Sequence, residues 1–154
     1  DNNIKIFKSI EPMQNSVIEI GCGEGLYVYL LNNLSYQIEG IDANKLAVKL
    51  ATENNIKNVS FGLAHQLNKM YDTAIMFDSF EHFENPVEVA YELTRKIKYS
   101  IHILNPLFKS KYHVALYSKK DILDFFPDYE EVYYKRIPDI KNRDKEYIKL
   151  TRKI

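Results

Sequence analysis

With 154 residues, 45% of them hydrophobic, the chain has room for one domain with a sizeable core. Its 21 basic and 21 acidic side chains cancel, and no apolar run approaches the ~20 residues that cross a bilayer. A single cysteine excludes an internal disulfide, and residues 1–12 lack the basic-then-apolar layout of a secretion signal. The lone cysteine suits a reducing cytosol, so a cytoplasmic location is expected. The missing initiator Met points to processing or trimming. Charge is unevenly placed: residues 1–94 carry 6 Lys/Arg against 13 Asp/Glu, and residues 95–154 carry 15 against 8. The basic residues are scattered rather than clustered, which disfavours a nucleic-acid partner.

The elements alternate. Ser16–Ile20 is an apolar, buried-type strand, and Tyr27–Leu34 is a short helix offering Val28, Leu30, Leu31 and Leu34 to a core. Tyr36–Ile41 reads as a second strand. Asn44 is placed to cap a helix reaching Asn54, with Leu46, Ala47, Leu50 and Ala51 on one face. Asn58–Phe61 is a short third strand and Thr73–Phe77 an apolar fourth. Asn85 and Pro86 start another helix as cap and first-turn proline, with Val87, Val89, Ala90, Leu93 and Ile97 as its apolar contacts. Ser100–Leu104 is the fifth strand. Ser118 caps a helix over Lys119–Phe126, and Tyr129–Ile137 and Glu146–Arg152 read as an antiparallel pair at a sheet edge. Strands alternating with helices predict a mostly parallel α/β sheet with right-handed crossovers and helices on both faces. No linker interrupts the chain, so residues 1–154 are read as one domain.

The chemistry concentrates where the first strand ends, in Val17-Ile18-Glu19-Ile20-Gly21-Cys22-Gly23-Glu24-Gly25-Leu26. Alternate glycines build a tight strand-to-helix turn that lets a ligand approach the backbone, and the helix beyond offers unpaired N–H groups. A dinucleotide turn requires Gly-x-Gly-x-x-Gly. Here the third glycine comes early, at Gly25, and Leu26 stands where a glycine is needed. Asp42 ends the second strand, 21 positions after Gly21. A carboxylate there either accepts bonds from ribose hydroxyls or sits favourably at a helix N-terminus. Cys22 is either a nucleophile or a small residue packed into a crowded turn. His65, His102 and His113 lack the i, i+3 or i, i+4 partners of a metal site, so no metal is expected.

Glu19-Ile20-Gly21-Cys22-Gly23-Glu24-Gly25 resembles the first motif of the class I S-adenosylmethionine-dependent methyltransferases. Phe61-Gly62-Leu63-Ala64 is similar to that family's Gly-Asp-Ala segment, with Leu63 replacing the aspartate. Residues 71–86, with Glu81-His82 before a Pro-led helix, resemble the fourth strand and exit loop of the small-molecule and quinone-biosynthesis branch. His113–Ser118 and its following helix are similar to that branch's segment after the fifth strand. The matches run in order along nearly the whole chain.

The resemblance implies a seven-stranded sheet ordered 3-2-1-4-5-7-6 with the seventh strand antiparallel, and S-adenosylmethionine as cofactor across strands one and four. Gly21, Cys22, Gly23 and Gly25 would cradle its methionine part, and Glu19 would orient the amino group. Asp42, beside Ala43, would take the ribose, and Leu63 with Ala64 the adenine. The backbone at Phe77 and Asp78 would line the reacting end. His82, with Asp78 second, is the candidate base for an acceptor that must lose a proton, although His82 fits a structural role equally. The short segment before the first strand implies a minimal lid: an open acceptor site, a homodimer or partner subunit, or a macromolecular substrate. A small-molecule acceptor is favoured. The competing readings are a non-catalytic binding subunit on the same fold and a nucleotide-dependent oxidoreductase.

Overall fold

The computed structural model describes residues 1–13 and 15–154. One sheet of seven strands carries the architecture: β1 (Ser16–Ile20), β2 (Gln37–Asp42), β3 (Val59–Phe61), β4 (Tyr71–Phe77), β5 (Ile97–Pro106), β6 (Tyr129–Ile137) and β7 (Lys145–Arg152). Their order is β3-β2-β1-β4-β5-β7-β6. The first five strands pair in parallel, and β7 enters antiparallel between β5 and β6. This is the order that the resemblance implies. The central strands are mostly apolar because both of their faces are covered, with Glu19, Thr73, Ser100 and His102 as buried polar exceptions. Helices α4 (Pro86–Lys96) and α5 (Lys119–Phe125) cover one face, where Val89, Leu93 and Ile122 meet Ile18, Met76 and Ile148. Helices α1 (Asn2–Ile10) and α2 (Leu26–Asn33) cover the other, packing Phe7, Val28 and Leu31 against Val17, Ile75 and Tyr147. A further helix, α3 (Lys45–Glu53), connects β2 to β3. No helix among the described residues is long and apolar enough to cross a membrane.

Several local expectations need correction. Leu46 and Val87 are 61% and 69% exposed, so neither belongs to the core, and α3 buries Ala51 as its one fully covered residue. Asn85 stands at the start of α4 without capping it. Its amide goes instead to His65 Nδ1 at 2.9 Å and Glu88 Oε2 at 3.3 Å. Strand β5 begins at Ile97, directly where α4 stops. Asn44 and Ser118 do cap their helices, the latter in a reciprocal box with Asp121.

Helix α1 is fastened beneath the sheet by a buried polar knot. Glu11 ends the helix, and its Oε1 accepts from Ser100 Oγ (2.8 Å), His102 Nε2 (2.7 Å) and Lys149 Nζ (2.8 Å). Its Oε2 accepts from Asn15 Nδ2 at 3.0 Å. Burial opposes the Glu11 charge, but these donors outweigh it and hold the carboxyl down to about 2. Burial also pushes His102 below its usual range, so the ring is neutral. It donates from Nε2 to Glu11 and accepts at Nδ1 from Tyr147 OH at 2.9 Å. Lys149 supplies the countercharge and also donates to Ile10 O at 2.7 Å.

Candidate active site

Between β1 and β4 successive connections leave in opposite directions, and such a switch point opens a crevice at the carboxyl ends of the strands. A cavity of about 690 Å³ lies there. Gly21, Gly23, Asp42 and Ala43 line one side, Leu63, Ala64 and His65 another, and Asp78, Ser79 and His82 face them.

The glycine turn is built by backbone geometry that other residues strain to adopt. Gly21 has φ +71°, and a Cβ on it would stand 2.7 Å from Ser79 Cβ, so β1 and β4 approach through that missing methyl. Gly25 caps α2 at φ +84°, and its missing Cβ makes room for Val59 and Ile56. The turn is tied to β2 twice. Gly21 and Cys22 donate to Ile41 O at 2.9 and 3.0 Å, and Gly23 N donates to Asp42 Oδ2 at 2.8 Å. Asp42 Oδ1 accepts from Asn44 N at 2.8 Å, so this carboxylate bridges the turn and the start of α3.

Not every predicted residue opens onto the cavity. Cys22 is packed against Gly40, where a Cβ would lie 2.8 Å from its Sγ, and burial pushes its thiol up to about 12. A thiol so rarely ionised is packed rather than poised for attack. The Phe77 ring packs against Tyr27 and Tyr147, so only its backbone is left to face the site. Glu19 is 2% exposed, with Oε2 unpartnered among the described residues. Burial first, and Asp42 second, raise its carboxyl well above the usual range.

On the opposite wall Asp78 adopts φ +57°, a strained conformation for a residue with a side chain. Lys145 holds it there, with Nζ 2.7 Å from each carboxylate oxygen. A 3-10 turn, Phe80–His82, follows. His82 Nδ1 lies 2.7 Å from Tyr112 O. A carbonyl only accepts, so Nδ1 carries the proton and Nε2 is left as the basic nitrogen. Nε2 is 3.6 Å from Glu81 Oε1. Glu81 is 1% exposed, its Oε2 is unpartnered among the described residues, and burial raises its carboxyl. His113 stacks edge-on to His82 with centroids 5.2 Å apart, held by Val114 N and Ala115 N donating to Glu81 O. Glu81, His82 and His113 present donor atoms within 4.8 Å of one another, a set able to hold a metal ion. Residue spacing gave no sign of this set, because His113 arrives from a loop 31 positions on. Lys145 was likewise missed, lying 67 positions from Asp78.

Residues 4–110 match the family described as a methyltransferase domain. The chain belongs to the methyltransferase family. Its fold is that of the class I S-adenosylmethionine-dependent enzymes, as a comparison of solved structures shows. Magnesium protoporphyrin IX methyltransferase from Synechocystis, solved with bound S-adenosylmethionine, superposes with a TM-score of 0.84 at 16% identity, over 99% of this chain and 77% of that one. A methyltransferase of Methanosarcina mazei superposes at 0.81 with 14% identity, over 96% of each chain. In sequence, the ubiquinone biosynthesis O-methyltransferase of Rickettsia bellii is 31% identical over 129 residues. That alignment takes in 77% of this chain, which spans about half (54%) of the relative's length.

Proposed function

We propose that this single domain binds S-adenosylmethionine in the β1–β4 crevice and transfers its methyl group to a hydroxyl of a small-molecule acceptor. One observation carries the reading: residues suited to the cofactor and residues suited to the acceptor line the same cavity, Gly21, Gly23 and Asp42 opposite Asp78 and His82. The residues present fit the cofactor. Glu19 buries a carboxylate oxygen, Oε2, that is unpartnered among the described residues and suits an ammonium, and a Cβ on Gly23 would meet nothing within 4 Å, so the turn leaves open space there. Asp42 keeps two free lone-pair positions for ribose hydroxyls beyond the bonds it makes to Gly23 and Asn44. Leu63 offers the adenine an apolar wall and Ala64 a backbone N–H.

When bound, the sulfonium supplies an activated methyl group with a good leaving group. The chain's task is then alignment and proton removal. His82 Nε2 takes the acceptor hydroxyl proton, and Tyr112 O steadies the ring through Nδ1. Asp78, fixed by Lys145, orients the acceptor. The O-methyltransferase relatives support a hydroxyl as the attacking group. Calorimetry and a transfer assay test this together. S-adenosylhomocysteine is expected to bind while NAD does not, and a panel of phenols and catechols should include a methylated product. His82→Ala should lower kcat by roughly 10²–10⁴-fold while leaving homocysteine-product affinity near wild type. Binding of NAD alone would remove the proposal, and cofactor binding with no transfer to any acceptor would favour the binding-subunit reading.

A further inference from the structure

Strand β6 is nine residues long and lies at the edge of the sheet. Its inner side pairs with β7 from end to end, and its outer side meets no strand among the described residues. An open edge of that length is a template for another strand. Proteins often blunt such edges with charge and with bulges, and β6 has both: its register shifts between Glu131 and Tyr133, leaving Val132 as the extra residue. Protection alone does not require any order among the charges. Here they are segregated, with Glu130 and Glu131 at the start, Lys135 and Arg136 at the end, and Val132, Tyr133 and Tyr134 between.

Like-on-like is what a parallel neighbour would meet, whereas an antiparallel copy meets acid against base at both ends. Glu131 and Arg136 are already engaged, with Lys119 at 3.0 Å and Asp144 at 2.8 Å. Glu130 and Lys135 are exposed and make no ion pair among the described residues. They stand opposite Thr151 and Tyr147 of β7, four positions apart, so both project from the same face of the sheet. The bulge is what makes this so, since residues five apart in a regular strand face opposite ways. Val132 and Tyr134, 51% and 40% exposed, lie between them.

We infer that the outer edge of β6 docks a second copy of this chain. The two β6 strands run antiparallel about a two-fold axis perpendicular to the sheet, with Glu130 of each opposite Lys135 of the other. The axis then passes between Val132 and Tyr133, whose partners across it are Tyr133 and Val132 of the second copy. Such an isologous contact closes on itself and joins two seven-stranded sheets into one. An unrelated partner strand would have no reason to match this self-complementary order.

Sedimentation equilibrium on the whole chain tests the assignment. Wild type should form a dimer that weakens with added salt. Glu130→Lys and Lys135→Glu each place two like-charge pairs across the axis and should each raise the dimer Kd roughly tenfold or more. Mixing the two variants restores opposite charges at both positions, so the mixture should regain a heterodimer near wild-type affinity, as should the double variant alone. Both positions are exposed, and thermal melting should show the variants folded. A wild-type chain that stays monomeric to about 1 mM, singles that dimerise like wild type, or a mixture without rescue would each overturn the assignment.

Discussion

Two buried glutamates on neighbouring elements show how differently one fold treats a carboxylate. Glu11 and Glu19 are both almost wholly covered, at 7% and 2% exposure. Glu11 is surrounded by donors and held ionised down to about 2, while Glu19 has an unpartnered oxygen and its carboxyl is raised. A satisfied buried charge fastens structure, and an unsatisfied one costs free energy unless something else arrives to meet it. The first closes α1 onto the sheet. The second lies beside the glycine turn, where the ammonium of an amino-acid-bearing ligand would complete it.

The sharpest way to break this contrast is to delete each group in turn. Glu11→Ala strands Lys149 in a buried site and should lower unfolding free energy by about 3–5 kcal/mol in denaturant titrations. Glu19→Gln should do the reverse of Glu11→Ala on stability, leaving it equal or higher, while weakening S-adenosylhomocysteine binding by about 1.5–3 kcal/mol in calorimetry. If Glu19→Gln unfolds the chain as readily as Glu11→Ala does, the two carboxylates play the same part. Asp42→Ala should cost about 1–3 kcal/mol of nucleoside affinity, and unchanged affinity would remove Asp42 from the site.

Acid and base should separate the pair as well. Glu11 and His102 both have folded values below their unfolded ones, so the unfolded chain binds more protons. Stability should therefore fall as pH drops below about 6.5, where unfolded His102 begins to protonate, and fall further from about 4.5 towards 2 as Glu11 follows. Glu19 has the opposite sign. Its folded value is raised, so its contribution is present at low pH and is lost as pH rises through that value. Melting temperatures of wild type and Glu19→Gln across pH should converge in acid and diverge in base. Parallel curves would show that Glu19 does not titrate in the fold.

Local pattern made much of this legible. The glycine spacing, Asp42 at the end of β2 and Pro86 at the head of α4 are short-range signals, and each lands where the sequence suggests. Contacts made by far-apart residues were not legible. The His102–Glu11 bond spans 91 positions and the Lys145–Asp78 bond 67, and no periodicity announces either. Helix α1 was missed for a related reason. Its Ile4, Ile6 and Phe7 are alone among polar neighbours, and their burial depends on α2 and β7 being in place. Val87 erred the other way: an apolar residue in a helical pattern was assigned to the core, yet it faces solvent.

Strand β7 bears on how the molecule comes to be folded. Lys145 and Lys149 project from one face of it, the first to Asp78 in the crevice and the second to Glu11 and Ile10 beneath α1. Both tethers arrive with a strand that follows the other six in sequence and must insert between β5 and β6. During synthesis, the parallel strands β1 to β5 emerge long before it. Until β7 is made, Glu11 has its β5 partners Ser100 and His102 but not the countercharge of Lys149, and the Asp78 carboxylate lacks Lys145. Closure of such distant contacts is entropically slow. A nascent chain therefore leaves Asp78 and Glu11 without their lysine partners until β7 has inserted between β5 and β6.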